Sequence, residues 1–195
     1  MGQITLRELE KMDFFKEIPK DILQNLLNES KVVSYKKKEV TFHSRSRTKT
    51  VYFVYSGEVM LYNLTKHGNR KVIFILGKGR LLNQSIVSKK PNALFGEAVC
   101  PVQALKIPEG VFLRLMEQCH ELTYSILREY ERNLWRMGHQ LKNTTGNMQT
   151  ERKIAAKLWK LGRDFGVETE EGVMVDIDLT ITLMADLVGV PRENV

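Results

Sequence analysis

The apolar positions change their spacing along the chain, and each change predicts a different kind of element. From Thr5 to Ser30, Leu6, Leu9, Met12 and Phe15 recur every three residues. After the Ile18-Pro19 interruption, Ile22, Leu23, Leu26 and Leu27 form a second stripe. This predicts two short helices packed on a larger domain, divided where proline cannot continue a helix. From Lys31 to about Lys106 the runs become strand-like. Residues 50–55 are β-branched and aromatic, Ser56-Gly57 breaks them, and residues 59–62 resume. Residues 66–70 carry a turn signal, residues 72–76 form a further strand closed by Gly77 and Gly79, and residues 98–107 supply one or two more. Many short strands punctuated by glycine, with no long helices between them, predict an antiparallel roll, barrel or sandwich and exclude a Rossmann unit.

Beyond Pro108 the helical period returns. Phe112, Leu113, Leu115 and Met116 predict a short helix ending near Cys119. A long helix follows over 121–146, in which Leu127, Leu134 and Leu141 recur every seven residues, with Tyr130 and Met137 between them. These five positions form one narrow a/d stripe with polar flanks. Such a helix needs a partner, either a second copy in a symmetric dimer or the core of its own chain. Residues 143–147 read as a break or hinge. Then come a helix over 151–162, a polar loop over 165–172, a short strand over 173–177, and a helix over 179–187 capped by Asp178. The expected organisation is α+β: a roll domain over 1–119, a dimerisation helix over 120–146, and a C-terminal domain over 147–195.

The last residues have the spacing of a helix-turn-helix. Ile181, Ala185, Leu187 and Val188 are packing positions of the first helix, and Gly189 suits a turn that needs positive φ. Pro191 fits the first turn of the next helix, placing Arg192 and Asn194 where residues meet bases and phosphates.

Composition narrows the function class. The chain has 195 residues, 43% of them apolar and 27% charged, the balance of a soluble globular protein. No stretch approaches the roughly 18 uncharged apolar residues of a membrane span, and residues 1–20 lack a signal-peptide core, so the expected location is the cytoplasm. Cys100 and Cys119 form no CxxC, which gives cysteine-based metal sites no support. The net charge of +7 divides unevenly: residues 1–141 carry +9, and residues 142–195 carry 7 basic and 9 acidic side chains. No HExxH, GxSxG or phosphate-gripping glycine loop occurs. His120-Glu121 falls at a helix start with Cys119 adjoining it, and adjacent residues on a helix do not face each other, so no dyad is expected. No enzyme, catalytic residue, metal or cofactor is therefore expected; His43, His67, His120 and His139 are scattered, with no haem motif.

Three segments carry a family resemblance: Val51–Val59, with its tyrosines and Gly57-Glu58; Gly77–Leu81; and Ala185–Val195, with Gly189, Arg192 and Glu193. Over nearly its whole length the chain resembles the Crp/Fnr family of bacterial transcription regulators. The resemblance implies a β-roll, a dimerisation helix and a winged helix-turn-helix truncated in its recognition helix, so that the chain alone binds operator DNA poorly. Arg192 and Glu193 match the family's base- and phosphate-contacting positions, and Asn194 replaces a common Thr. The family's cyclic-nucleotide cassette carries Gly-Glu for the ribose and an Arg for the cyclic phosphate. Here Asn83-Gln84 stands at Gly-Glu and Leu94-Phe95 at the Arg and its neighbour. A buried phosphate without its arginine costs on the order of several kcal/mol.

The resemblance therefore implies a small-molecule effector other than a cyclic nucleotide, as in the family's dehalorespiration regulators, which sense halogenated phenolic acids. Leu94 and Phe95 would take an apolar body, Gln84 one directed hydrogen bond, and Trp135 and His139 would close over it from the long helix. Each also has a plainer reading, as roll core, turn amide, helix packing and solvated side chain respectively. The implied function is an effector-responsive homodimeric activator that binds a palindromic operator in double-stranded DNA and engages RNA polymerase, with no membrane partner. The alternatives are a regulatory roll without DNA binding, a cyclic-nucleotide-responsive regulator, and a regulator whose pocket is filled by its own side chains.

Overall fold

The computed structural model describes residues 4–83, 85–144 and 149–195, with the backbone alone for 142–144. The chain divides into two compact units, residues 1–61 with 75–135, and residues 62–74 with 136–195.

In the first unit Thr5 caps α1 (Leu6–Glu10). The Glu8 amide donates to Thr5 Oγ1 at 3.3 Å, and the Thr5 amide donates back to Glu8 Oε2 at 2.9 Å. The Thr5 amide, the Thr5 hydroxyl, which donates to the same Oε2 at 2.7 Å, and the Tyr55 hydroxyl together draw the Glu8 carboxyl down to about 2. A 3-10 turn at Asp13–Phe15 follows, and α2 (Lys20–Asn28) starts directly after Pro19. The second stripe forms α2 after Pro19 as expected, but the first is not one helix: α1 ends at Glu10, Met12 turns to extended backbone, and Phe15 lies in the 3-10 turn.

The strands are antiparallel where their register is defined. One sheet has the order β1 (Lys31–Tyr35), β7 (Val102–Pro108), β3 (Thr50–Ser56). The other has the order β2 (Val40–Phe42), β6 (Phe95–Ala98), β4 (Val59–Leu64), β5 (Arg70–Leu76). In β3, residues 51–54 are buried on both faces, which accounts for its unbroken apolar run. Four rings bind the N-terminal segment, β3 and the following helix into one core. Phe53 lies 4.6 Å from Phe14, 4.9 Å from Phe15 and 5.8 Å from Phe112, between ring centroids. Phe112 belongs to α3 (Glu109–Gln118), and α4 (His120–Thr144) adds Leu122 and Ile126 to the same cluster.

In the second unit α5 (Thr150–Phe165) leads into the hairpin of β8 (Gly166–Thr169) and β9 (Gly172–Val175), then α6 (Ile181–Val188) and a 3-10 turn at Arg192–Asn194. Three expectations are corrected here. Residues 166–169 are a strand and not a loop; their side chains are exposed, so burial left no alternation to read. Thr180, not Asp178, caps α6, its Oγ1 accepting from the Leu183 amide at 3.1 Å, and the helix starts two residues later than expected. Ile181 is exposed; the packing positions are Leu183, Met184, Ala185 and Leu187. Of the expected hinge, residues 145–147 lie outside the described residues.

Gly57 turns β3 into β4 with φ +79°, and a Cβ there would stand 2.4 Å from the Pro101 carbonyl oxygen. Gly57→Ala therefore meets both backbone strain and a clash with main chain. A loss of about 2–4 kcal/mol is expected, read as a lowered urea midpoint with unchanged m-value.

Candidate functional site

The cassette segment after β5 is held along β3 as an additional short antiparallel track. The Gly79 amide donates to the Val54 carbonyl at 2.7 Å, the Val54 amide to the Arg80 carbonyl at 3.0 Å, and the Leu82 amide to the Tyr52 carbonyl at 2.9 Å. Asn83 then continues this pairing with its side chain. Its Oδ1 accepts from the Tyr52 amide at 2.7 Å; its Nδ2 donates to the Thr50 carbonyl at 2.8 Å and to Thr48 Oγ1 at 3.3 Å. The residue is buried. All of the polar reach of Asn83 is thus directed into the sheet. Its neighbour Gln84 lies outside the described residues.

Leu94 and Phe95 are half-buried, and Phe95 opens β6 with its ring edge-on to His43 at 6.0 Å between centroids. On α4, Trp135 is 55% exposed and His139 is exposed. Leu94, Phe95 and Trp135 belong to the first unit and His139 to the second. A separate polar groove of about 230 Å³ lies between α2 and α3, lined by Asn25, Asn28, Glu29, Arg114 and Gln118 among others; no sequence pattern pointed to it.

One side of α4 is fastened to the roll. Leu122, Ile126 and Tyr130, four residues apart, face the core cluster, and burial pushes the Tyr130 phenol above its ordinary pKa. Beside them the buried Glu129 accepts from Arg80 Nη1 at 3.2 Å, joining the cassette turn to the helix. Sequence reasoning missed this pair, because a single glutamate on a charged helix carries no signal until its partner is placed. Another side is uncovered: Leu127, Leu134, Met137 and Leu141 are 55%, 71%, 45% and 64% exposed. Tyr130, expected in that stripe, turns toward the roll: one four-residue step beyond Ile126, it stays on the side of the helix that packs against the core cluster.

At the C-terminal end Gly189 has φ +77°, and its amide donates to the Ala185 carbonyl at 2.8 Å, ending α6 with a left-handed cap. Arg192, Glu193 and Asn194 follow in an exposed 3-10 turn. Among the described residues no group of His, Cys, Asp or Glu could hold a metal ion, and no helix is long and apolar enough to cross a membrane.

Comparisons with known proteins agree with this architecture. Residues 32–119 match the family model of the cyclic nucleotide-binding domain. The chain is 21% identical over 188 residues to the CRP-like cAMP-activated global transcriptional regulator of Mycobacterium tuberculosis, covering 96% of this chain and 84% of that protein. It is 24% identical over 214 aligned positions to the HTH-type transcriptional regulator ArcR of Staphylococcus epidermidis, covering 99% and 87%. The solved structure of the c-di-GMP responsive global regulator CLP of Xanthomonas campestris superposes with a TM-score of 0.74 at 16% identity, covering 90% and 87%. The first two are transcriptional regulators by name, and the third is a global regulator linked to virulence gene expression.

Asn83→Ala is expected to cost about 2–4 kcal/mol, because it strands the Tyr52 amide and the Thr50 carbonyl in a dry sheet. Chemical denaturation of the ligand-free protein measures it. A side chain aimed at ligand instead would leave that midpoint unchanged.

Proposed function

We propose that this chain, which has the Crp/Fnr-family fold of a cyclic-nucleotide-binding-like roll joined by a long helix to a helix-turn-helix, is an effector-responsive DNA-binding transcription regulator. It works in the cytoplasm as a homodimer and activates transcription from a palindromic operator by contacting RNA polymerase. One observation carries the reading: the helix between roll and helix-turn-helix keeps Leu127, Leu134, Met137 and Leu141 in solvent. Burying a leucine removes roughly 1.5–3 kcal/mol of unfavourable hydration, against the entropy of association. A second copy offers the same stripe in return and doubles the number of DNA-binding ends. Arg192, Glu193 and Asn194 would then stand at two half-sites about 34 Å apart.

The effector is a small molecule other than a cyclic nucleotide, taken at Gln84, Leu94 and Phe95 on the roll and at Trp135 and His139 on the helix. The half-buried Leu94 and Phe95, standing where the cassette has its phosphate-pairing arginine, support this, since neither offers the phosphate a charged donor. Two relatives carry nucleotides in their names, cAMP in one and c-di-GMP in the other. A nucleotide-responsive regulator is therefore the second reading. In either case the ligand acts by binding one arrangement of α4 more tightly than the other. Arg80–Glu129 and the stripe of Leu122, Ile126 and Tyr130 are the contacts through which the roll holds that helix.

Sedimentation equilibrium at micromolar concentration should give about twice 22.6 kDa, and Leu134→Glu should halve that mass while leaving the circular dichroism spectrum intact. A monomeric unsubstituted chain would overturn the dimer. Titration with cyclic AMP should show no saturation below about 1 mM; submicromolar binding would establish the second reading.

A further inference from the structure

The groove between α2 and α3 lies within the first unit and carries opposite charges on its two walls. Arg114 stands on α3. Glu29 stands where α2 ends, its amide donating to the Asn25 carbonyl at 3.3 Å. Both line the same space of about 230 Å³, yet they form no ion pair across it. The side chains of Arg114, Glu29, Asn25 and Gln118 make no hydrogen bond or ion pair among the described residues. Asn28 accepts from Gln24 Nε2 at 2.9 Å through its carbonyl oxygen, which leaves its amide nitrogen uncommitted. Val111 and the buried Leu115 add a short apolar stretch. The backbone reinforces the polarity: Asn25 and Asn28 belong to the last turn of α2, so the negative end of that helix dipole adjoins the Glu29 carboxylate.

We propose that this groove binds a small zwitterion, a free α-amino acid with a polar side chain. Its carboxylate takes the planar fork of the Arg114 guanidinium, and its ammonium meets Glu29 and the end of α2. A simple anion would satisfy Arg114 and be opposed by Glu29, and a simple cation would meet the reverse. A molecule carrying both charges satisfies both walls. The amides of Asn25, Asn28 and Gln118 are left to hydrogen-bond its side chain, the few directed polar groups that fix a ligand's orientation. The space is smaller than the roughly 300–1,000 Å³ of sites for drug-sized ligands, which suits a single amino acid. The groove also has a mechanical connection. At the end of α3 the Cys119 amide donates to the Leu115 carbonyl at 2.9 Å, and Thr123 Oγ1 of α4 donates to the Met116 carbonyl at 2.7 Å. An amino acid bridging α2 and α3 therefore braces the base from which α4 rises. The site is separate from the roll cassette and requires neither the dimer nor the effector proposed above.

The test is NMR of the ¹⁵N-labelled full chain, titrated with L-asparagine at constant ionic strength. The amide signals of Asn25, Glu29, Arg114 and Gln118 should shift saturably with a Kd near or below about 1 mM. Two derivatives each remove one charge: the Nα-acetyl compound loses the ammonium and the methyl ester loses the carboxylate. Both should bind at least about tenfold more weakly than L-asparagine. Arg114→Gln and Glu29→Gln replace exposed side chains, so the circular dichroism spectrum should be unchanged while each weakens binding by a similar factor. No saturable shift up to about 10 mM overturns the site. So does a shift confined to residues outside α2 and α3, or either derivative binding as tightly as the parent amino acid.

Discussion

The arrangement depends on α4 presenting two apolar faces with different fates. Leu122, Ile126 and Tyr130 meet the roll, and the buried Glu129 beside them bonds Arg80. Leu127, Leu134, Met137 and Leu141 meet solvent. A helix with one apolar face would be satisfied by its own domain and could report to nothing else. A helix with only the uncovered face would have no fixed orientation on the roll. Under the proposed function, a ligand in the roll would act on the leucine stripe through the face that α4 turns to the roll.

The cassette makes the same point at smaller scale. Backbone pairing runs from Gly79 to Leu82, and the Asn83 amide then substitutes for a peptide group in bonding to Tyr52 and Thr50. This ties Asn83 to β3 without requiring another strand residue. Arg80, next to Gly79 in the same track, sends its side chain to Glu129 instead. One short stretch of chain thus grips the sheet with one side chain and the long helix with another.

Much of this was readable in the sequence wherever burial imposed a period. Residues 50–55 and 72–76 announce themselves because apolar β-branched and aromatic side chains crowd them, whereas the end of α1 at Glu10, well before Pro19, left no such mark. Legibility failed where burial was absent or shared. The exposed β8 carries no alternation. Asp178 and Thr180 are both capping residues by type, and the Leu183 amide, which bonds Thr180 Oγ1, decides between them. Tyr130 fits a heptad and a four-residue stripe, and only the position of the roll settles its direction. For the candidate site, the leucines of α4 and the Gly189 turn were visible, whereas Arg80–Glu129 depends on two charges brought together from distant parts of the chain.

The Phe53 ring has a consequence for how this protein can vary. Three aromatic neighbours, Phe14, Phe15 and Phe112, share that one surface from two distant parts of the chain. Truncating any of them changes the space available to the others, so their energetic effects will not add. Drift at the N-terminus is then constrained by a residue far along the sequence, and a library sampling the four rings should display strong epistasis, with pairs of exchanges tolerated where single ones fail.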